Sequence, residues 1–226
     1  DLHTSKPFMN LNPSFNPQYQ QNATYPTATV PGAPPTAPLA QLSVNENATR
    51  EYLTSCKWPA GLQQTFINNL QKIPIRFFIC DDSGSMNTDD GHRLITSATG
   101  HQKFVACSRW AELTAALSFH ATIAQAANAP TQFRLLNAAS PINIGDGSDP
   151  DGSRYRLFMS LLQQSPSGST PLCAHIRDVI TQITAMAPDL RSRGQKACVI
   201  IASDGESTDG DVAQALKPLE HLPAWV

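Results

Sequence analysis

The stretch that decides the fold runs from residue 73 to residue 86 and reads Ile-Pro-Ile-Arg-Phe-Phe-Ile-Cys-Asp-Asp-Ser-Gly-Ser-Met. Its first half is a nearly unbroken apolar run, and residues 197–202, Ala-Cys-Val-Ile-Ile-Ala, form a second run of the same kind. Continuous apolar runs, unlike alternating ones, are typical of central strands in a parallel sheet that helices cover on both faces. We therefore predict an α/β fold with a doubly wound, mostly parallel, Rossmann-like sheet.

The sequence around the two apolar runs predicts the other elements of this fold. We predict helices over residues 102–127, 154–163, 171–186 and 211–221, and a pair of short strands over 132–136 and 141–145. Residues 222–226 resemble the beginning of one more strand. We therefore expect a sheet that is incomplete at its C-terminal edge.

The chain divides into three predicted segments. Residues 1–45 form a proline-rich extended arm, because residues 1–44 hold eight of the 18 prolines and only two charged side chains, Asp1 and Lys6. A segment with so few periodic apolar residues is expected to become ordered only against its own domain or a partner in a larger assembly. Residues 46–72 form a helical lead-in, and residues 73–226 form the α/β domain.

Composition limits the function classes. With 16 Lys and Arg against 18 Asp and Glu, the formal net charge of −2 argues against binding to nucleic acid or to a membrane surface through clustered positive charge. No apolar run is long enough for a membrane span. Five widely spaced cysteines, an odd number that cannot all pair within one chain, favour a cytoplasmic or other intracellular location, and the absence of a C-x-x-C pair argues against a zinc or redox motif. The glycosylation-like triplets at Asn22 and Asn47 keep a secretory route open.

Polar residues follow each of the two predicted central strands. Asp81, Ser83 and Ser85 come directly after the first strand, and Asp204 follows the second. In an open parallel sheet, ligands bind in the crevice beyond the carboxyl ends of the strands, so these side chains are expected to converge there.

A third loop, Ser-Gly-Ser-Thr-Pro-Leu at residues 167–172, is expected to reach the same crevice. Thr170 precedes Pro171, which suits a first helical turn, so Thr170 is predicted to be the N-cap of the following helix. The combined donors are then two carboxylates and three hydroxyls. Donors that are all oxygen favour a hard cation, with Mg²⁺ first and Mn²⁺ or Ca²⁺ as alternatives.

The motifs D-x-S-G-S, G-S-T-P-L and S-D-G together resemble the metal-ion-dependent adhesion site of von Willebrand factor A domains, in the family's order. The resemblance covers roughly two-thirds of the chain. It implies that Ser83, Ser85 and Thr170 touch the metal and that Asp81 and Asp204 hold it directly or through water. It also implies metal-dependent protein binding, in which an Asp or Glu carboxylate of a protein partner completes the coordination of the metal.

Two other function classes stay open beside this non-enzymatic binding module. One is a structural subunit of a larger complex, attached mainly by the arm, with an empty or vestigial metal site. The other is a hydrolase that uses the metal to activate water, which would need a general base that the motifs do not place. Phosphate-cradle and nucleophile-elbow motifs are absent from the sequence, so we expect no enzyme.

Several further acidic residues are interpreted as solvated loop charges. Asp89 and Asp90 resemble an extra acidic pair beside the metal site of integrin β subunits, but a solvated turn is the favoured interpretation. Residues 146–152 lack the register of a calcium loop, and we interpret them as a polar loop. The remaining acids of this kind are Glu206, Asp209 and Asp211.

Overall fold

The structure is a computed structural model that describes residues 43–96 and 101–226. Within them, the helices are α1 (Glu46–Ser55), α2 (Ala60–Lys72), α3 (Arg109–Ala127), α4 (Ser153–Leu161), α5 (Leu172–Ser192) and α6 (Val212–Leu216), with 3₁₀ turns at Gly84–Asn87 and Lys217–His221. The strands are β1 (Arg76–Cys80), β2 (Gly91–Thr96), β3 (Gln102–Cys107), β4 (Thr131–Leu135), β5 (Ile142–Ile144), β6 (Ala197–Ala202) and β7 (Ala224–Trp225).

The main sheet has the strand order β5-β4-β1-β6-β7, with β1 at its centre. Strand β1 pairs in parallel with β4 on one side and with β6 on the other, and β7 continues in parallel beside β6. Only β5 is antiparallel within this sheet, where it forms a hairpin with β4. The predictions of a mostly parallel α/β sheet, of the short hairpin and of a last strand beginning near residue 222 are confirmed.

Strand β1 supplies side chains to two hydrophobic cores, one on each face of the sheet. Phe78 and Cys80 belong to a core that includes residues of α3 and α4, whereas Phe77 and Ile79 belong to a core that includes residues of α5. Successive side chains of a strand point to opposite faces. Because both faces are covered, every position of this strand from Phe77 onward is buried and apolar, which explains the unbroken run.

The predicted helix over residues 102–127 is wrong in its first six residues. Residues 102–107 form β3, which pairs antiparallel with β2 in a separate two-stranded sheet. Phe104, which fits a helical stripe by spacing, is 74% exposed. The helix begins only after Ser108, whose side chain accepts a hydrogen bond from the backbone N–H of Ala111 at 3.2 Å and so caps the first turn.

The lead-in forms helices that pack on the α/β domain. The backbone N–H of Asn45 donates to the carbonyl oxygen of Ala127 at 2.8 Å, and the ring of Trp58 stacks on that of Phe119 in α3 with 5.7 Å between ring centroids. Residues 1–42 of the predicted arm lie outside the described residues. In the part of the chain that the structure describes, no helix combines the length and apolarity that crossing a membrane requires.

Candidate metal centre

The register of the central strands brings Asp81 and Asp204 to one edge of the sheet. Cys80, the last residue of β1, lies opposite Ala202, the last residue of β6. The pairing extends one residue further, because the backbone N–H of Asp81 donates to the carbonyl oxygen of Ala202 at 2.8 Å. The two loops that carry the acids therefore begin side by side.

Asp81 is fully buried and connects these two loops through its carboxylate. One oxygen, Oδ1, accepts the backbone N–H of Ser83 at 2.9 Å, and the other, Oδ2, accepts the hydroxyl of Ser203 at 2.7 Å. A buried carboxylate must be hydrogen-bonded to be tolerated, and here both partners are loop groups. Asp81 therefore stabilises the conformation of the loop that follows β1 and links this loop to the loop that carries Asp204.

The hydroxyls of Ser83 and Ser85 and the carboxylate of Asp204 form one hydrogen-bonded chain. The Oγ atoms of the two serines are 3.0 Å apart, and Ser85 donates to Oδ1 of Asp204 at 2.9 Å. The 3₁₀ turn that begins at Gly84 folds the loop back on itself between the two serines. Ser83 is buried and Ser85 is exposed, whereas the side chain of Asp204 at the end of this chain is only 9% exposed.

The loop that carries Thr170 is fastened to both of the other loops. The N–H of Ser167 donates to the carbonyl oxygen of Asp82 at 2.7 Å, and the N–H of Thr208 donates to that of Thr170 at 2.9 Å. Gly168 has φ of +99°, and a Cβ atom at this position would lie 2.3 Å from Oδ1 of Asn137. Only glycine fits such a position. The structure thus places Thr170, which is 7% exposed, beside the other two loops.

The predicted N-cap role of Thr170 is wrong. Helix α5 begins at Leu172 with Pro171 in the cap position and no cap hydrogen bond from that side chain. The carboxylate of Asp209 provides the cap instead, since it accepts the N–H of Cys173 at 2.9 Å and that of Ala174 at 2.7 Å. Burial opposes ionisation of Asp209, but its hydrogen bonds outweigh burial and lower the pKa of this carboxyl.

The oxygen donors are of the chemical kind that small hard cations prefer. Magnesium binds six oxygens in octahedral geometry at about 2.0–2.1 Å, so neighbouring ligands lie about 2.9 Å apart. The separations of 3.0 and 2.9 Å along the chain from Ser83 through Ser85 to Asp204 are ordinary hydrogen-bond lengths, and they are also close to that edge length. Residues 43–96 and 101–226 contain no group of three or more His, Cys, Asp or Glu residues arranged to hold a metal ion. The donors predicted here include only two carboxylates.

Arg109 is part of this site, although it was not among the predicted residues. Its Nη1 contacts Oδ2 of Asp204, while Nε and Nη2 donate to the two carboxylate oxygens of Asp90 at 2.7 and 2.6 Å. The hydrogen bonds with Asp90 and then Asp204 raise the pKa of Arg109, and the bond from Arg109 lowers the pKa of Asp90. Asp90 lies exposed in a turn, as predicted, and it is in addition an ion-pair partner of Arg109.

A signal for Arg109 was present in the sequence. It is the first residue of α3, and a cation there is disfavoured by the helix dipole. An arginine at such a position requires compensation by nearby acids, which Asp90 and Asp204 provide. The partner Asp204 is 95 residues away, so no local pattern could identify it.

Two other acidic loop residues, Asp211 and Asp149, cap helices. Asp211 accepts the N–H of Ala213 at 2.8 Å at the start of α6. Asp149 accepts the N–H groups of Arg154 and Tyr155 at 3.1 Å at the start of α4. These residues therefore have structural partners and do not form a second cluster of free carboxylates around the crevice.

An apolar recess of about 270 Å³ opens beside the crevice. Asp82, between Asp81 and Ser83, contributes to the lining of this recess. Burial raises the pKa of Asp82, although the N–H and Nδ2 of Asn137 both donate to its Oδ1 at 2.9 Å. The apolar part of the lining consists mainly of Trp110, Leu135, Ile142, Leu157 and Leu161. An apolar surface therefore adjoins the polar loops.

Hydrogen bonds link four of the five predicted site residues to one another. These are Asp81, Ser83, Ser85 and Asp204; Thr170 is held beside them through its backbone.

Comparison of the chain with protein-family models, curated proteins and solved structures finds no match. The resemblance to von Willebrand factor A domains therefore depends on the three motifs alone.

Proposed function

We propose that the protein is a non-enzymatic binding module of the von Willebrand factor A type, which recognises a protein partner through a divalent cation. Mg²⁺ is the first choice of cation, with Mn²⁺ or Ca²⁺ as alternatives. The observation that carries the proposal is that Ser83, Ser85 and Asp204, from two separate loops, meet in one chain of hydrogen-bonded oxygens, the ligand atoms that hard cations prefer. Asp81 and Thr170 complete the proposed set.

The bound cation would supply an electrophilic coordination position for a carboxylate of the partner. Ser83, Ser85 and Thr170 are the proposed direct ligands, and neutral hydroxyls leave much of the positive charge uncompensated. Asp81 already accepts two hydrogen bonds from the loops, which suits a role in holding the serines in place. An Asp or Glu side chain of the partner would then be attracted by the remaining charge.

Binding is favoured over hydrolysis by the chemistry of the five side chains. They contain no imidazole, thiol or amine that could act as a general base. Their two carboxylates already accept hydrogen bonds, Asp81 from Ser203 and Asp204 from Ser85. The apolar recess beside the crevice supports a protein partner, which can place an apolar side chain there while its carboxylate meets the cation.

The proposal includes membership of a larger assembly, with the proline-rich arm making a second contact. A cytoplasmic or other intracellular location belongs to the same proposal, because the five cysteines are all unpaired in the structure. Two of them, Cys80 and Cys173, are buried as small apolar side chains.

The test uses Mn²⁺ as a paramagnetic probe and measures water-proton relaxation with the full chain. Binding of Mn²⁺ should enhance relaxation, and a blocked peptide with one Asp should reduce the enhancement by displacing a metal-bound water. The same peptide with Asn in place of Asp should have no effect. Ser83→Ala should weaken Mn²⁺ binding by about tenfold or more, whereas Ser160→Ala, on the exposed side of α4, should not. Equal binding by both variants, or equal effects of both peptides, would overturn the proposal.

A second candidate is the structural subunit with a vestigial metal site. The contact between Arg109 and Asp204 favours it, because the chain itself then supplies a cation for the crevice. In that case, deletion of residues 1–44 would release the protein from its complex, while Ser83→Ala would not. Size-exclusion chromatography of the native complex with each variant distinguishes the two functions.

A further inference from the structure

Arg109 is held against the candidate metal site by its backbone as well as by its side chain. Its N–H donates to the carbonyl oxygen of Thr88 at 3.0 Å, at the end of the 3₁₀ turn that carries Ser85. Two nitrogens of the guanidinium group, Nε and Nη2, donate hydrogen bonds to the two carboxylate oxygens of Asp90, and this bidentate contact fixes the plane of the group. The third nitrogen, Nη1, is then directed at Asp204.

Both oxygens of Asp204 are occupied in this arrangement. Oδ1 accepts the hydroxyl of Ser85, and Oδ2 contacts Arg109. The side chain of Asp204 is only 9% exposed, so it depends on these partners for compensation of its charge. An arginine remains protonated at any physiological pH, so this compensation is permanent unless the side chain moves.

A divalent cation that used Asp204 would meet the positive charge of Arg109 on the same carboxylate. Like charges a few ångströms apart repel each other, and the repulsion is strongest where water is partly excluded. Arg109 has a second partner in Asp90 and can give up Asp204 without losing both ion pairs. Asp204 can therefore be neutralised in two ways, either by Arg109 or by a divalent cation.

We propose that Arg109 is a built-in competitor of the divalent cation for Asp204 and thereby sets the metal affinity of the site. Without metal, Arg109 neutralises Asp204. With metal, Arg109 is paired with Asp90 alone. This inference depends on the proposed metal-binding function and names the residue that regulates it.

The test is isothermal titration of Mg²⁺ into the full-length chain at fixed ionic strength. Arg109→Gln should bind Mg²⁺ roughly tenfold more tightly than the unsubstituted protein, because competition for Asp204 is removed. Arg193→Gln is the matched control: it removes the same charge from the far end of α5, where Arg193 pairs with Asp189. The control should change the affinity less than twofold, by long-range electrostatics only.

The outcomes separate the inference from the function on which it depends. If the unsubstituted protein binds Mg²⁺ and Arg109→Gln binds it no more tightly than Arg193→Gln, the competition is refuted and the metal site stands. If neither the unsubstituted protein nor Arg109→Gln binds Mg²⁺, the proposed function and the inference both fail. Binding only after Arg109→Gln would support the inference in its strongest form.

A stability measurement provides a second readout that does not use partner binding. In EDTA, Arg109→Gln should have a lower melting temperature than the unsubstituted protein, since Asp204 loses its partner. Excess Mg²⁺ should close that gap, whereas a gap caused by a merely structural role of Arg109 would persist. Should Arg109→Gln not fold, Arg109→Met provides the same comparison, because it also removes the charge and keeps an unbranched side chain.

Discussion

Asp209→Ala should destabilise the protein by removing the cap of its longest described helix. The carboxylate accepts the N–H groups of Cys173 and Ala174 at 2.9 and 2.7 Å and the hydroxyl of Ser207 at 2.6 Å. Loss of an N-cap costs about 0.5–2 kcal/mol, and hydrogen bonds to a charged group lie at about 1.5–3 kcal/mol. We expect the free energy of unfolding to fall by about 2 kcal/mol, which lowers the melting temperature by roughly 4–8 °C.

Urea unfolding followed by circular dichroism measures this loss, and Asp211→Ala is the control. Asp211 is also an N-cap aspartate, but it caps the five-residue α6, so its replacement should cost about 1 kcal/mol or less. The pKa of Asp209 is lowered in the folded state, so its stabilisation is present above the ordinary pKa of 3.8 and is lost as the pH falls through the lowered value. Equal losses for the two variants at pH 7 would refute the long-range capping of α5.

Two further predictions concern pH and the core. Burial lowers the pKa of His120 and His175 below the ordinary value of 6.5, so the unfolded chain takes up protons first as the pH falls. The free energy of unfolding should therefore decrease below about pH 6.5, by up to about 1.4 kcal/mol per histidine for each pH unit between the two pKa values. A double replacement by Gln should flatten this pH dependence in urea titrations, and an unchanged slope would contradict it. Phe133→Ala should cost about 3–5 kcal/mol, because Phe133 is 1% exposed, whereas Phe104→Ser, at 74% exposure, should change stability by less than about 0.5 kcal/mol. A large decrease in the free energy of unfolding from Phe104→Ser would contradict the exposed position of Phe104 in β3.

The central strands were predictable because burial on both faces leaves a direct trace in the sequence. Phe77 and Phe78 serve different cores, so their neighbourhood is apolar without alternation. The loop residues that follow β1 and β6 were predictable for a related reason. Parallel pairing aligns Cys80 with Ala202, so the loops that carry Asp81 and Asp204 begin side by side.

The start of α3 was mispredicted because residues 102–107 carry a pattern that fits two structures. Phe104 and Cys107 have helical spacing, yet the strand is mostly exposed and gains its stability by pairing with β2. Ser108 marks the true start of the helix and is a recognisable N-cap. Tertiary pairing here overrides a weak helical periodicity.

Two site features depend on contacts between distant residues. Asp209 caps α5 from 36 residues away, and Arg109 meets Asp204 across 95 residues. Local pattern identifies a loop aspartate or a first-turn arginine but not its partner. The candidate ligands were therefore predictable from motifs, while the residue proposed to regulate them required the structure.

The most direct test of the central claim is the anomalous diffraction of Mn²⁺ in crystals of the full chain grown with MnCl₂. We expect a single strong peak between the Oγ atoms of Ser83 and Ser85, with ligand oxygens at about 2.1–2.2 Å and the guanidinium group of Arg109 withdrawn from Asp204. A crevice without a peak at saturating Mn²⁺, or a peak held by other residues, would contradict it.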